Sequence, residues 1–99
     1  MIAVIFEVIP NSEGKNSYFE IAEILKPSLA KIEGFISVER FQSLSNKDKY
    51  LSLSFWEDEA AVSQWKMNTE HQLAQNKGKQ ELFNEYRIRV GNILRDYGT

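Results

Sequence analysis

Trp65 and His71, six residues apart in the stretch SQWKMNTEHQLAQNKGK, carry the side chains best suited to chemistry in this chain. His71 is the only histidine, and so the only side chain whose ordinary pKa suits proton transfer near neutrality. Trp65 is one of two tryptophans, and its ring can wall a pocket by stacking on a flat substrate. His71, Ala74, Gln75 and Gly78 recur at steps of three, one and three, which puts them on one side of a helix. An imidazole, a methyl group and an amide make a poor core face but suit the rim of a cleft. The plainer alternative is that Trp65 is a core residue, His71 faces water and Leu73 faces inward.

The chemistry such a set supports is deprotonation of an electron-rich phenol or hydroquinone, whose anion then passes an electron to oxygen. That reaction needs a base, donors that hold the anion and a dry aromatic pocket. His71 can act as the base, Gln75 or Arg87 as the donor, and Trp65, Phe6, Phe41 and Tyr86 as walls. A metal site is not expected, since the single histidine stands beside Glu70 with no partner at a ligand spacing. The chain has no cysteine, which excludes a disulfide framework and a thiolate nucleophile. Twelve basic against fourteen acidic residues, a net charge of −2, offer no general attraction to nucleic acid or anionic lipid. YRIRV sets Arg87 and Arg89 on the same strand face, where a salt bridge to Glu7 or Glu39 competes with a ligand-binding role, most strongly for Arg89.

These side chains must be positioned by few elements, because 99 residues build one domain spanning residues 1–99. MIAVIFEVI is short, apolar and closed by a Pro-Asn-Ser cluster; it reads as a buried strand, too short to cross a membrane and without the basic start of a leader. A cytoplasmic protein is expected. Ser17 and Glu20 have capping-box spacing, so a helix should start there, with Tyr18, Ile21, Ala22, Leu25, Leu29 and Ile32 as its apolar stripe. Pro27 lies nearly opposite that stripe and Gly34 offers a C-terminal cap. In FISVERFQSL, Phe35, Ser37, Glu39 and Phe41 alternate against Ile36, Val38, Arg40 and Gln42. After the turn SNKDK, Leu51, Leu53 and Phe55 alternate against Tyr50, Ser52, Ser54 and Trp56.

Asp58 can cap a second helix with Ala61, Val62 and Trp65 inward. Thr69 and Gln72 repeat the capping-box spacing, which predicts a break near Asn68 and a restart that lets Trp65 and His71 look into one space. ELFNEYRIRVGNILRDYG reads as a final strand interrupted at Gly91, apolar on both faces. The order β-α-β-β-α-β is that of an α+β, ferredoxin-like domain with an antiparallel sheet and both helices on one face. The other face then needs a cover, which a homodimer packed sheet to sheet would supply.

GFISVERFQS, YLSLSFWEDEAAVSQWK, EHQLAQNKGK and LFNEYRIRV, taken in order, resemble the antibiotic biosynthesis monooxygenase family over roughly residues 1 to 97. The resemblance implies a ferredoxin-like fold that dimerises into an α+β barrel. The family is similar to quinol and anthrone monooxygenases that use no metal or flavin, to heme-degrading monooxygenases, and to many proteins of unassigned activity. The implied function is a cofactor-independent monooxygenase acting on a small aromatic or quinol-like substrate. A non-catalytic small-molecule-binding or stress-related protein of the same fold is the competing class. The heme-degrading members use a histidine ten positions after the tryptophan and an asparagine in the first strand. Here those places hold Gln75 and, nearby in strand one, Glu7, so heme chemistry is the weakest of the three.

Overall fold

A computed structural model describes the backbone of residues 1–11, 15–75 and 83–99, and within these all side chains except those of 15–18, 21, 24, 25, 70–75, 83 and 84. The elements run β1 (Ile2–Pro10), α1 (Lys15–Ala30), β2 (Phe35–Gln42), β3 (Tyr50–Trp56), α2 (Glu59–Gln75) and β4 (Phe83–Asn92). They form a four-stranded antiparallel sheet in the order β2-β3-β1-β4. This is the expected ferredoxin-like order, with the two β-α-β halves interleaved.

Directly opposed residues of antiparallel strands share a face, so the pairings sort the whole sheet. Ile2, Val4, Phe6 and Val8 of β1 stand opposite Trp56, Ser54, Ser52 and Tyr50 of β3, and opposite Asn92, Val90, Ile88 and Tyr86 of β4. This is the helix side, because Ile2, Val4 and Trp56 share one buried cluster with Leu29 of α1 and Ala61, Val62 and Trp65 of α2. The core centres on Trp56, which is 0% exposed, donates from Nε1 to Ser54 Oγ at 2.9 Å and takes Phe35 edge-on. That bond explains how Ser54 stays buried: its hydroxyl has a partner two residues along the same face.

β2 departs from simple alternation. Phe35 pairs with Trp56, but Ser37 pairs with Phe55, so Ile36 is an inserted residue in a β-bulge. The bulge puts Phe35 on the same side as Val38, both packed on the helix-side core, instead of with Ser37, Glu39 and Phe41. Arg40 follows Val38 on this side and holds Glu23 of α1 at 2.6 Å.

Three boundaries also differ from expectation. α1 begins at Lys15, so Ser17 lies inside its first turn and not at a cap. Gly91 pairs regularly with Ala3, and the irregularity of this ladder falls between Ile9 and Pro10. Gly34 lies beyond α1, after turns closed by the Lys31 and Ile32 amides and inside the turn closed by the Phe35 amide, and it has a φ of 96°. A Cβ there would stand 2.9 Å from the Ala61 Cβ, so glycine serves both the backbone angle and the approach of α2.

α2 starts as expected. Asp58 Oδ1 accepts from the Ala61 amide at 2.9 Å, and Ala61, Val62 and Trp65 face the core. Replacing Asp58 by alanine should cost about 1 kcal/mol. In a domain of this size that lowers the melting midpoint by about 4–8 °C, which a thermal melt followed by circular dichroism would register. Among the described residues no helix is long and apolar enough to cross a membrane.

Candidate functional site

α2 has no break. It runs as one helix through Asn68 to Gln75, so the restart expected at Thr69 and Gln72 is absent. A capping-box spacing marks a helix start only where the backbone leaves the helix, and here the apolar face that begins at Ala61 carries the helix onward. On an unbroken α-helix positions 65 and 71 stand about 120° apart around the axis and about 9 Å along it. Position 71 falls on the arc that carries Ala60 and Gln64, both exposed earlier in the helix. Position 75 falls between that arc and the arc of half-buried Asn68. The side chains of His71 and Gln75 lie outside the described residues.

Trp65 is 8% exposed in the cluster of Ile2, Val4, Leu29, Trp56, Ala61 and Val62. It is therefore a core residue first, whatever its outer edge meets. One turn further on, Thr69 shares its face, and the Thr69 hydroxyl oxygen is buried with no hydrogen-bond partner. A helical threonine can usually bond the carbonyl four residues back, so this oxygen has forgone its nearest acceptor. The spacing of four from Trp65 was the available sequence signal, and the capping-box reading concealed it.

The chain fixes where this part of α2 lies. α2 begins beside Trp56, which pairs with Ile2, and the chain must return to Phe83, which pairs with Pro10. α2 therefore advances along β1 from its Ile2 end towards its Pro10 end, and Thr69 follows Trp65 in the direction of Phe6. Among the described residues the helices pack chiefly on β1, β2 and β3, while β4 packs on β1. On the helix side of β4, Tyr86, Ile88 and Val90 are 63%, 39% and 50% exposed. Phe6 meets Tyr86 edge-on, with ring centroids 6.3 Å apart. Phe6, Tyr86, Ile88 and Val90 thus form an apolar strip on the same side of the sheet as Trp65.

Phe41 and Arg87 are not part of it. Phe41 pairs with Leu51 and Arg87 pairs with Glu7, which puts both on the face turned away from the helices. The sheet itself separates them from Trp65, Phe6 and Tyr86 within one subunit. On that open face Glu7 Oε2 forms ion pairs with Lys49 Nζ at 3.5 Å and with Arg89 Nη1 at 3.4 Å, in line with the ion-pair reading of Arg89. Glu7 is therefore on the wrong side of the sheet to replace a first-strand ligand near Trp65.

The family model for antibiotic biosynthesis monooxygenase matches residues 1–77. The chain belongs to this family. A relative from Pyricularia oryzae named jasmonate monooxygenase is 43% identical over 93 residues, covering 94% of this chain and 43% of that protein. The chain thus spans less than half the length of that relative. A Deinococcus radiodurans structure, assigned by name as a candidate antibiotic biosynthesis monooxygenase, superposes with a TM-score of 0.82 at 10% identity, covering 100% of this chain and 98% of that one. A variant of MhuD, solved with two manganese protoporphyrin IX molecules in each active site, superposes with a TM-score of 0.73 at 12% identity over 100% of both chains. At such identities these two likenesses concern the antibiotic biosynthesis monooxygenase fold alone.

Proposed function

We propose that the chain works as a homodimeric monooxygenase that oxidises a small, electron-rich aromatic or quinol-like substrate with molecular oxygen and without a bound cofactor. The observation that carries the reading is the apolar strip of half-buried Phe6 and exposed Tyr86, Ile88 and Val90 on the same side of the sheet as Trp65, in a chain of this family. Such a strip suits the flat face of an aromatic substrate, and the buried, unpartnered Thr69 hydroxyl one turn beyond Trp65 is a polar group free to meet it. His71 is assigned as the proton acceptor and Gln75 as a donor to the anion, both from the far end of α2.

The reaction balances without an added reductant when the substrate supplies the electrons. A ring CH2 of the anthrone type loses both hydrogens, one oxygen atom becomes its carbonyl, and the other leaves with those hydrogens as water. Hydroxylation of an unactivated C–H bond would need two further electrons. The relative's named substrate, jasmonate, therefore belongs in the test panel both with and without NADPH.

The expected result is oxygen uptake with hydroquinones or anthrones that needs no added cofactor. It should fall by about 100-fold or more in His71→Ala, with the melting point kept. Identical product traces in air and under nitrogen, with no oxygen consumed across the panel, would sink the enzyme reading. Saturable binding without turnover would move the protein to the non-catalytic class of the same fold.

A further inference from the structure

On the helix side of the sheet the pairings set one row of side chains level with Phe6: from β2 to β4 it reads Arg40, Ser52, Phe6 and Ile88. Arg40 is held by Glu23 of α1. Phe6 and Ile88 belong to the apolar strip, so Ser52 stands where the row turns from polar to apolar. It is half-buried, and its hydroxyl makes no hydrogen bond among the described residues. Ser54, the next residue along that side of β3, is buried too but accepts from Trp56 Nε1. The same side of β3 therefore carries one serine that the core satisfies and one that it does not.

A second hydroxyl comes to this level from α2, which packs on β1 and β3. Between Trp65 and Thr69 a helix climbs about 6 Å, close to the length of two strand residues. Trp65 packs with Ile2 and Val4, so the next turn of α2 brings Thr69 level with Phe6. Its oxygen is buried without a partner. Burying an unpaired hydroxyl is costly, and a valine of nearly the same shape would avoid the cost. A helical threonine has two rotamers open to it, which lets the hydroxyl turn to an oxygen arriving from the strip.

We infer that Ser52 and Thr69 form an oxygen subsite, which hydrogen-bonds the phenolic hydroxyl or ring carbonyl of a substrate whose ring lies on Phe6, Tyr86 and Ile88. The inference rests on the aromatic site of the function proposed above and names the group that the site recognises. Each hydroxyl can donate or accept, so the pair serves a phenol, its anion and a carbonyl alike. The two tasks are then divided between elements. The strip on β1 and β4 takes any flat ring, while the hydroxyls on β3 and α2 select a ring that carries oxygen, because one without it leaves both of them unpaired under the ligand.

Equilibrium dialysis of the full chain under nitrogen, with 1-naphthol and naphthalene as matched probes, tests this without turnover. The variants are Thr69→Val, Thr69→Ser and Ser52→Ala, each followed by a thermal melt. The expected result is that Thr69→Val and Ser52→Ala each weaken 1-naphthol binding by about five- to tenfold and leave naphthalene within about twofold. Thr69→Ser should keep most of the affinity for 1-naphthol, and Thr69→Val should melt no lower than the wild type. Equal losses for both probes, or a clear fall in the melting point of Thr69→Val, would make Thr69 a packing residue and overturn the subsite. A wild-type chain that binds neither probe at about 1 mM overturns it as well. Oxygen uptake is a separate readout: a naphthol preference without uptake sinks the oxygenase reading and keeps the subsite, whereas uptake without the preference does the reverse.

Discussion

Trp65→Ala should lower stability by about 3–5 kcal/mol, the usual cost of emptying a tryptophan-sized volume in a core. The indole sits among Ile2, Val4, Leu29, Trp56, Ala61 and Val62 from both helices and two strands, so no single neighbour can relax into the space. For a domain whose whole margin is of the order of 5–15 kcal/mol, the melting midpoint should fall by about 12 °C or more. Trp65→Phe keeps part of the volume and should cost less. Any loss of turnover in Trp65→Ala must therefore be measured on the folded fraction, with a denaturant titration beside each assay. An unchanged melting point would show that the indole is not a core element. His71 is the better probe of chemistry, because its position on α2 stands about 120° around the helix axis from that of Trp65.

Gly34→Ala is expected to be nearly as damaging for a methyl group. Two costs coincide. A φ of 96° is unfavourable for any residue with a Cβ, by about 1–3 kcal/mol. The new Cβ also stands 2.9 Å from the Ala61 Cβ on the buried side of α2, and overpacking of that kind costs about 1–3 kcal/mol. Glu57 donates its amide to the Gly34 carbonyl at 2.8 Å, so the loop cannot swing away without losing that bond as well. Urea unfolding of Gly34→Ala, Ala61→Gly and their double variant separates the two costs. A coupling energy of about 1 kcal/mol or more between the substitutions reports the contact, and the remainder belongs to the backbone angle. No coupling would mean that the approach of α2 does not depend on this glycine.

What could be read from the sequence was local. The Asp58 cap, the inward Ala61, Val62 and Trp65, and the two sides of β3 follow from periods that a few residues express by themselves. The ferredoxin-like order followed from those elements in turn. Alternation within one strand, however, gives parity without saying which parity faces the helices. Phe6 and Tyr86 could be grouped with Phe41 and Arg87 for that reason, and only the pairing of β1 with both neighbours separates them. The Ile36 bulge shifted parity again at the start of β2, with no glycine or proline inside the strand to announce it.

The site was less legible than the fold. The Thr-x-x-Gln spacing at Thr69 is common inside helices, and whether it starts one depends on packing that the spacing does not contain. The exposure of Tyr86, Ile88 and Val90 depends on how the helices are layered on the sheet, which no motif expresses. Trp65 and His71 were paired because both are rare. Their positions on one continuous helix give no geometric reason for the pairing.

The Ile36 bulge also bears on how this chain can change length. Losing one residue from a strand normally transfers every later side chain to the opposite layer. Here β2 already holds one residue more than its partner, so a chain without Ile36 would keep Phe35, Val38 and Arg40 inward and Glu39 and Phe41 outward. Packing is indifferent to that loss. Solubility is not, because β2 is an outer strand whose irregular start interrupts a flat row of unpaired amides and carbonyls on which another chain could grow. Indels at this point are thus permitted by the core and opposed by aggregation, so drift in the family should be filtered there by solution behaviour more than by foldability.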